Sequence, residues 1–300
     1  MAWLAWTALF TVGCAVSQKR VVPTVARPAG PALEASRQEL LERYNRQAGL
    51  VRSINASVEI APVAGSAYSG VIEDYREIRG FVLAQRPASI RMIGQAPVVA
   101  KNIFDMVSDG ETFRIFIPSK NKFVVGPAQF ERRSERPIEN LRPQHLLEAL
   151  FWEPVAADAP ALIEEADVPP ASPGTPPERY YVLTILRRSG ELEIARKVWF
   201  DRTDLHVARL QVYGAGGRVT SDITYADWMA APAPIASGRV PYPWHIRVAR
   251  PREDYQLTLR ITKMWLNENI IPDRFELAQP PGTELVRVSE AAPAGKGERP

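Results

Sequence analysis

Apolar residues recur first at helical spacing, then at alternate positions, then at helical spacing again, and at alternate positions thereafter. Ser36 followed by Glu39 has the form of a capping box, in which hydroxyl and carboxylate satisfy each other's backbone N–H groups. Leu40, Leu41, Tyr44, Ala48 and Val51 then share one face, so the spacing predicts a helix over 33–52 with its apolar stripe against a larger body. From Ala56 the period becomes two. The short runs FVLAQRP, ASIRMIG, NIFDMVSDG, ETFRIFIPS and NKFVVG follow, separated by turn residues of which Asp109-Gly110 is the strongest hairpin signal. Consecutive short strands without helices between them form an antiparallel meander.

The second helical stretch lies within 138–152. Pro143 sits where a first turn tolerates a missing N–H, and Leu146, Leu147, Leu150 and Phe151 mark its apolar side. Residues 153–178, which include VPPASPGTPPE, read as a mobile loop. Strands resume with RYYVLTILRR, ELEIARKVWFD, LHVARLQVYG, GRVTSDITYADW, WHIRVARP and DYQLTLRITKMWL, with a further one after Pro272. The tally is about twelve strands without internal repeats. A tail from 290 to 300 is too polar and small to pack.

Within the strands the two faces differ in chemistry. Phe104 and Met106 oppose Asp105; Phe113, Ile115 and Ile117 oppose Arg114; Tyr255, Leu257, Leu259 and Ile261 oppose Gln256, Thr258 and Arg260. Two helices are too few to cover so many strands laid flat. The expected class is therefore mainly β (α+β), a curved antiparallel sheet forming an incomplete β-barrel with an N-terminal helix and a helical lid on its concave side. A greasy concavity of this kind suits apolar ligands. Its expected cavity and lid residues are Phe104, Met106, Phe113, Ile115, Leu146, Leu147, Leu150 and Phe151.

The first 16 residues change the cellular picture. MAWLAWTALFTVGCAV carries no charge and is shorter than the roughly 20 residues a spanning helix needs, as a signal-peptide core is. It ends in Thr11-Val12-Gly13-Cys14, which resembles a bacterial lipobox, in which the cysteine is acylated and becomes the new N-terminus. The organisation expected is a signal peptide over 1–13, a Pro-rich tether over 14–32, a single domain over 33–289 with lid and loop at 138–178, and the tail. Ala15 after the cysteine favours the outer membrane by the same resemblance. An uncleaved apolar anchor with an incidental cysteine is the alternative.

Composition narrows the chemistry. With 46% hydrophobic and 24% charged residues the chain has ample core material, and its net charge of +3 is interleaved rather than clustered, so nothing demands nucleic acid. Cys14 is the only cysteine, so no intramolecular disulfide forms. His145, His206 and His245 lack metal-ligand spacing; His145 belongs to the lid and the other two to strands. No G-x-S-x-G elbow or phosphate loop occurs, and Gly214-Ala215-Gly216-Gly217 reads as a turn. Glu73 and Asp74, being adjacent on a strand, point to opposite faces. Arg132-Arg133, Arg187-Arg188 and Arg247/Arg250/Arg252 read as solvated strand ends, with weak contact to anionic headgroups the sharper reading. Trp152 is a candidate for a membrane interface among seven tryptophans otherwise assigned to core and rim.

The order of elements resembles the LolA/LolB family of lipoprotein carriers over roughly residues 33–278. VSDGETFRIFIPSKNKF is similar to that family's strand–DG–strand hairpin, and KVWFDRTDLHVARLQVYGAGGRVTSDITYADW to its later two-strand return. The resemblance implies an incomplete barrel with a helical lid holding acyl chains, no enzyme activity and no cofactor. The partners expected are lipid or lipoprotein acyl chains, the membrane through the Cys14 anchor, and periplasmic proteins; the chain is expected to be a monomer facing the periplasm. An envelope sensor or assembly factor that binds a protein partner through the same fold is the alternative, and an enzyme acting on envelope polymers is a further one.

Overall fold

A computed structural model describes residues 31–66, 71–74, 76–96, 101–128, 142–169, 177–234 and 238–288. The signal segment with Cys14, the tether up to residue 30, Arg132, Arg133 and the tail lie outside the described residues.

Helix α1 spans Arg37–Leu50, begins at the Ser36–Glu39 capping box and buries Leu40, Leu41, Tyr44 and Ala48. It stops two residues short of the predicted end because Val51 is already extended. Seven strands follow: β1 (Ser53–Ser66), β2 (Val71–Asp74), β3 (Ile78–Gln85), β4 (Ser89–Gln95), β5 (Asn102–Ser108), β6 (Thr112–Ile117) and β7 (Lys122–Pro127). Helix α2 is Pro143–Leu150, with the proline in its first turn as expected. The return strands are β8 (Ala161–Val168), β9 (Glu178–Ser189), β10 (Glu191–Asp201), β11 (Val207–Tyr213), β12 (Val219–Pro232), β13 (Arg239–Arg250) and β14 (Tyr255–Leu266), and β15 (Glu284–Arg287) ends the described chain. Among the described residues no helix is long and apolar enough to cross a membrane.

All fifteen described strands form one curved sheet that does not close into a barrel. Its order is β15-β7-β6-β5-β4-β3-β1-β14-β13-β12-β11-β10-β9-β8, with β2 on β1. The chain starts in the middle, meanders outward to β7, and crosses over through α2 to the far edge. It then meanders back until β14 seals against β1 over the register from Ile54↔Leu266 to Ala64↔Tyr255. The expected hairpin turns hold: Gly110 has φ +99°, Asp109 accepts from the backbone of Glu111 and Thr112, and Gly214–Gly217 joins β11 to β12.

Two edges depart from the sequence reading. The stretch expected as a loop over 153–178 contains β8, so the count exceeds twelve. β8 pairs only with β9 and exposes Leu162, Ile163 and Val168, so neither of its faces requires strict alternation. Glu164 and Glu165 pair with Lys197 and Arg202, the kind of charge that guards an edge. At the other edge β15 runs parallel to β7, the exception in an otherwise antiparallel sheet.

The core lies on the concave face. There α1 and α2 pack against Ile54, Val58, Ile60, Val82, Ile90, Met92, Leu183, Val198, Leu210, Ile223, Ile246, Leu257 and Leu259, which form one cluster. Close packing is visible at Gly94, where a Cβ would meet the Phe104 ring at 2.4 Å.

Candidate functional site

α2 sits across the concavity, touching β4 and β5 in one half of the sheet and β13 in the other. At eight residues it is too short to be stable by itself, the side chain of its N-cap Arg142 does not cap the first turn, and neither terminal turn carries a charge that favours the helix dipole. Tertiary packing therefore holds it. Leu146, Leu147, Leu150 and Phe151 all lie in the core cluster, at 1–8% exposure. Of the expected lining residues, Met106 and Phe113 are buried, while Phe104 and Ile115 are partly buried against the same cluster. The cross-strand pairs Met106↔Ile115 and Ser108↔Phe113 put these side chains on one face, and the Arg142 guanidinium lies 5.2 Å from the Phe113 ring centre. The structure thus puts Phe104, Met106, Phe113 and Ile115 on one face of the sheet and packs Leu146, Leu147, Leu150 and Phe151 of α2 and its cap into the core cluster, with Phe113 buried beside that cluster rather than within it.

The end of the lid is fastened by groups that sequence reading passed over. Tyr225 and Tyr242 donate their hydroxyls to the carbonyls of Ala149 (3.0 Å) and Leu150 (2.9 Å). Burial pushes both phenols far above the usual tyrosine range, so they remain donors. Arg86, in the β3–β4 turn, donates to the carbonyls of Ala48 (3.0 Å), Val51 (3.0 Å) and Trp152 (2.7 Å) and lies over the Phe151 ring. One guanidinium thereby ties both helices to the sheet. Trp152 is not at a surface: it is 6% exposed, stacked on Tyr44 at 5.4 Å, edge-on to Tyr225 and Trp228, and donates to the Tyr225 hydroxyl. Asn45 exchanges two hydrogen bonds with Val155, and Arg196 holds Glu153, which completes the seam.

The opposite side of α2 is polar. Gln144 donates to Ser108 (2.6 Å), His145 Nδ1 meets the Tyr255 hydroxyl (2.5 Å), and Glu148 accepts from Ser221. Burial holds the His145 imidazole well below the usual histidine range, with Arg250 and Arg142 adding to the effect, so it is neutral near pH 7. Arg250, expected in a solvated strand end, points inward with an 11% exposed side chain, and bonds Ser221 and Glu253. Of the other histidines, His206 stacks on Trp228 just before β11 rather than within a strand, and His245 lies in β13.

The outer face carries a second feature, a concavity of about 750 Å³ lined by Tyr180, Trp199, Arg209, Asp222, Thr224 and Arg247 among others. Arg209 covers Trp199 and forms a two-point ion pair with Asp222. Its lining is polar and aromatic, unlike that of the inner face.

No protein-family description matches the chain, and no curated protein does. Solved structures do. A LolA superfamily protein from Nitrosomonas europaea is 14% identical at a TM-score of 0.44, over 79% of this chain and 97% of that one. The chain is similar in fold to it. A DUF1329 family protein from Desulfovibrio piger (12%, TM-score 0.47, 80% and 95% covered) is also similar. So is a domain from Vibrio parahaemolyticus bearing the name of outer membrane lipoprotein sorting (10%, TM-score 0.42, 79% and 95% covered).

Proposed function

We propose that this chain is an envelope lipoprotein that binds acyl chains, of lipid or of lipoprotein, on its concave face by exchange with α2. The observation that carries the reading is a short helix, unstable alone, laid over a continuous apolar face and fastened at its C-terminal end. Lifting its N-terminal part about Leu150–Trp152 uncovers Met106, Phe113 and Ile115, and an acyl chain then covers the apolar surface vacated by Leu146 and Leu147. Each buried CH₂ contributes about 0.8 kcal/mol, so a long chain offsets the two leucines. Exchange between two packings of similar area needs no cofactor and no covalent step. Acylation of Cys14 would hold the protein at the outer membrane facing the periplasm, with residues up to 32 as the tether.

Native mass spectrometry and lipid extraction of the Cys14→Ser chain test this directly. Copurifying lipid, or saturable binding of a fluorescent fatty acid that Leu146→Asp abolishes, is the expected result. A lipid-free protein that binds no such probe overturns it. The polar and aromatic concavity around Trp199 and Arg209 favours a second reading, a sensor or assembly factor with a protein partner on the outer face. That reading leads if crosslinking captures one saturable partner and no lipid is found.

A further inference from the structure

Ser221, Arg250 and Tyr255 lie side by side on β12, β13 and β14: Arg250 is paired with Tyr255 across the ladder and donates to Ser221 at 2.6 Å. All three face inward, at the end of β13 and the start of β14, next to the apolar row of Ile223, Val248 and Leu257. Ser221 and Tyr255 are buried, at 0% and 3% exposure. Glu253 grips Nε and Nη2 of Arg250, which fixes the plane of the guanidinium and leaves Nη1 directed at Ser221 and Glu148. The lid supplies the remaining partners: the Glu148 carboxylate takes the Ser221 hydroxyl and lies 3.5 Å from Arg250, and His145 Nδ1 is hydrogen-bonded to the Tyr255 hydroxyl. On the same helix Gln144 Oε1 is buried with no hydrogen-bond partner among the described residues, so the polar side of the lid is an imperfect fit.

Resting on the acyl-exchange reading, we propose that Ser221, Arg250 and Tyr255 form a headgroup site for a singly acylated lipid with an anionic oxygen headgroup, and that Glu148 occupies it as an internal stand-in while the lid is closed. α2 is itself built like such a lipid, with a carboxylate beside the donors and apolar groups over the adjoining rows. When it lifts, the Ser221 hydroxyl proton and one guanidinium N–H lose the Glu148 carboxylate and the Tyr255 hydroxyl loses the imidazole, while Ser221 still accepts from Arg250. Buried donors left unmatched are costly, so the ligand that suits the opened face presents an oxyanion at this row and its chain along the footprint of Leu146 and Leu147. A carboxylate and a phosphate ester share this chemistry.

Binding of palmitate, lysophosphatidic acid and hexadecanol to the full Cys14→Ser chain, measured by displacement of a fluorescent fatty acid, separates the possibilities. Arg250→Met is expected to weaken an acidic ligand about tenfold relative to hexadecanol, and Tyr255→Phe, which keeps the ring, about threefold. A loss confined to palmitate marks a carboxylate site, and one confined to lysophosphatidic acid a phosphate site. An acid-to-alcohol ratio unchanged in both variants overturns the headgroup site while acyl binding stands. Failure of all three ligands to bind overturns the acyl-exchange reading and this site with it.

Discussion

Trp152→Ala is expected to cost about 3–5 kcal/mol of folding stability, the range for truncating a fully packed large aromatic side chain. Trp152 joins more parts of the molecule than its place in a short connector suggests. Its ring stacks on Tyr44 of α1 and meets Tyr225 and Trp228 of β12, its indole N–H is taken by the Tyr225 hydroxyl, and its carbonyl accepts from Arg86. Truncation leaves a cavity between α1 and the sheet, and the Tyr225 hydroxyl loses a donor while keeping Ala149. Urea unfolding followed by far-ultraviolet circular dichroism measures the loss, and Trp152→Phe should recover about half of it. A cost below about 1 kcal/mol would mean that the lid seam is not part of the cooperative core.

Arg86→Ala comes next, at about 3 kcal/mol, because three carbonyls lose a charged donor at once and hydrogen bonds to charged groups contribute roughly 1.5–3 kcal/mol each before relaxation and water replace part of them. Burial already presses the Arg86 guanidinium below its usual range, and Glu153 is the first of the charges that oppose this. Arg86→Lys should restore little, since a single ammonium cannot span Ala48, Val51 and Trp152 in the geometry of the planar fork. The variant should also load a fluorescent fatty acid faster than the parent, because α2 loses a fastening at its hinge while the apolar face is unchanged. Stopped-flow mixing reads this; an unchanged loading rate together with lowered stability would assign Arg86 to folding alone.

Local pattern carried much of this architecture. The Ser36–Glu39 box, the buried stripe of α1, Pro143 in the first turn of α2 and the inward parity of Phe104, Met106, Ile115 and Leu257, with Phe113 buried on the same face, all follow from spacing, and the structure reproduces them. What pattern cannot show is pairing at long range. β15 finds β7 across more than 150 residues, and its short mixed sequence carries no sign of its parallel partner. β8 is an edge strand whose acidic run reads as a loop because its side chains from Leu162 to Glu165 are exposed and set no alternation. Arg86 acts through main-chain carbonyls, which every residue possesses, so nothing in the sequence distinguishes it. Arg250 is different: Ile246, Val248 and Arg250 share parity, so strict alternation already placed that charge on the inner face, and only its position at a strand end suggested solvent.

Acyl binding as proposed requires α2 and an acyl chain to compete for one face, and a reversible tether tests that competition most directly. Gln144 and Ser108 meet across the lid and β5 at 2.6 Å, and with Cys14 changed to serine the chain offers no other thiol. In the Gln144→Cys/Ser108→Cys/Cys14→Ser chain, joining the two thiols with a cleavable bifunctional crosslinker should abolish binding of a fluorescent fatty acid, and cleaving the linker should restore it. Undiminished binding by the tethered protein would contradict the competition, because the ligand would then be bound without displacing the lid.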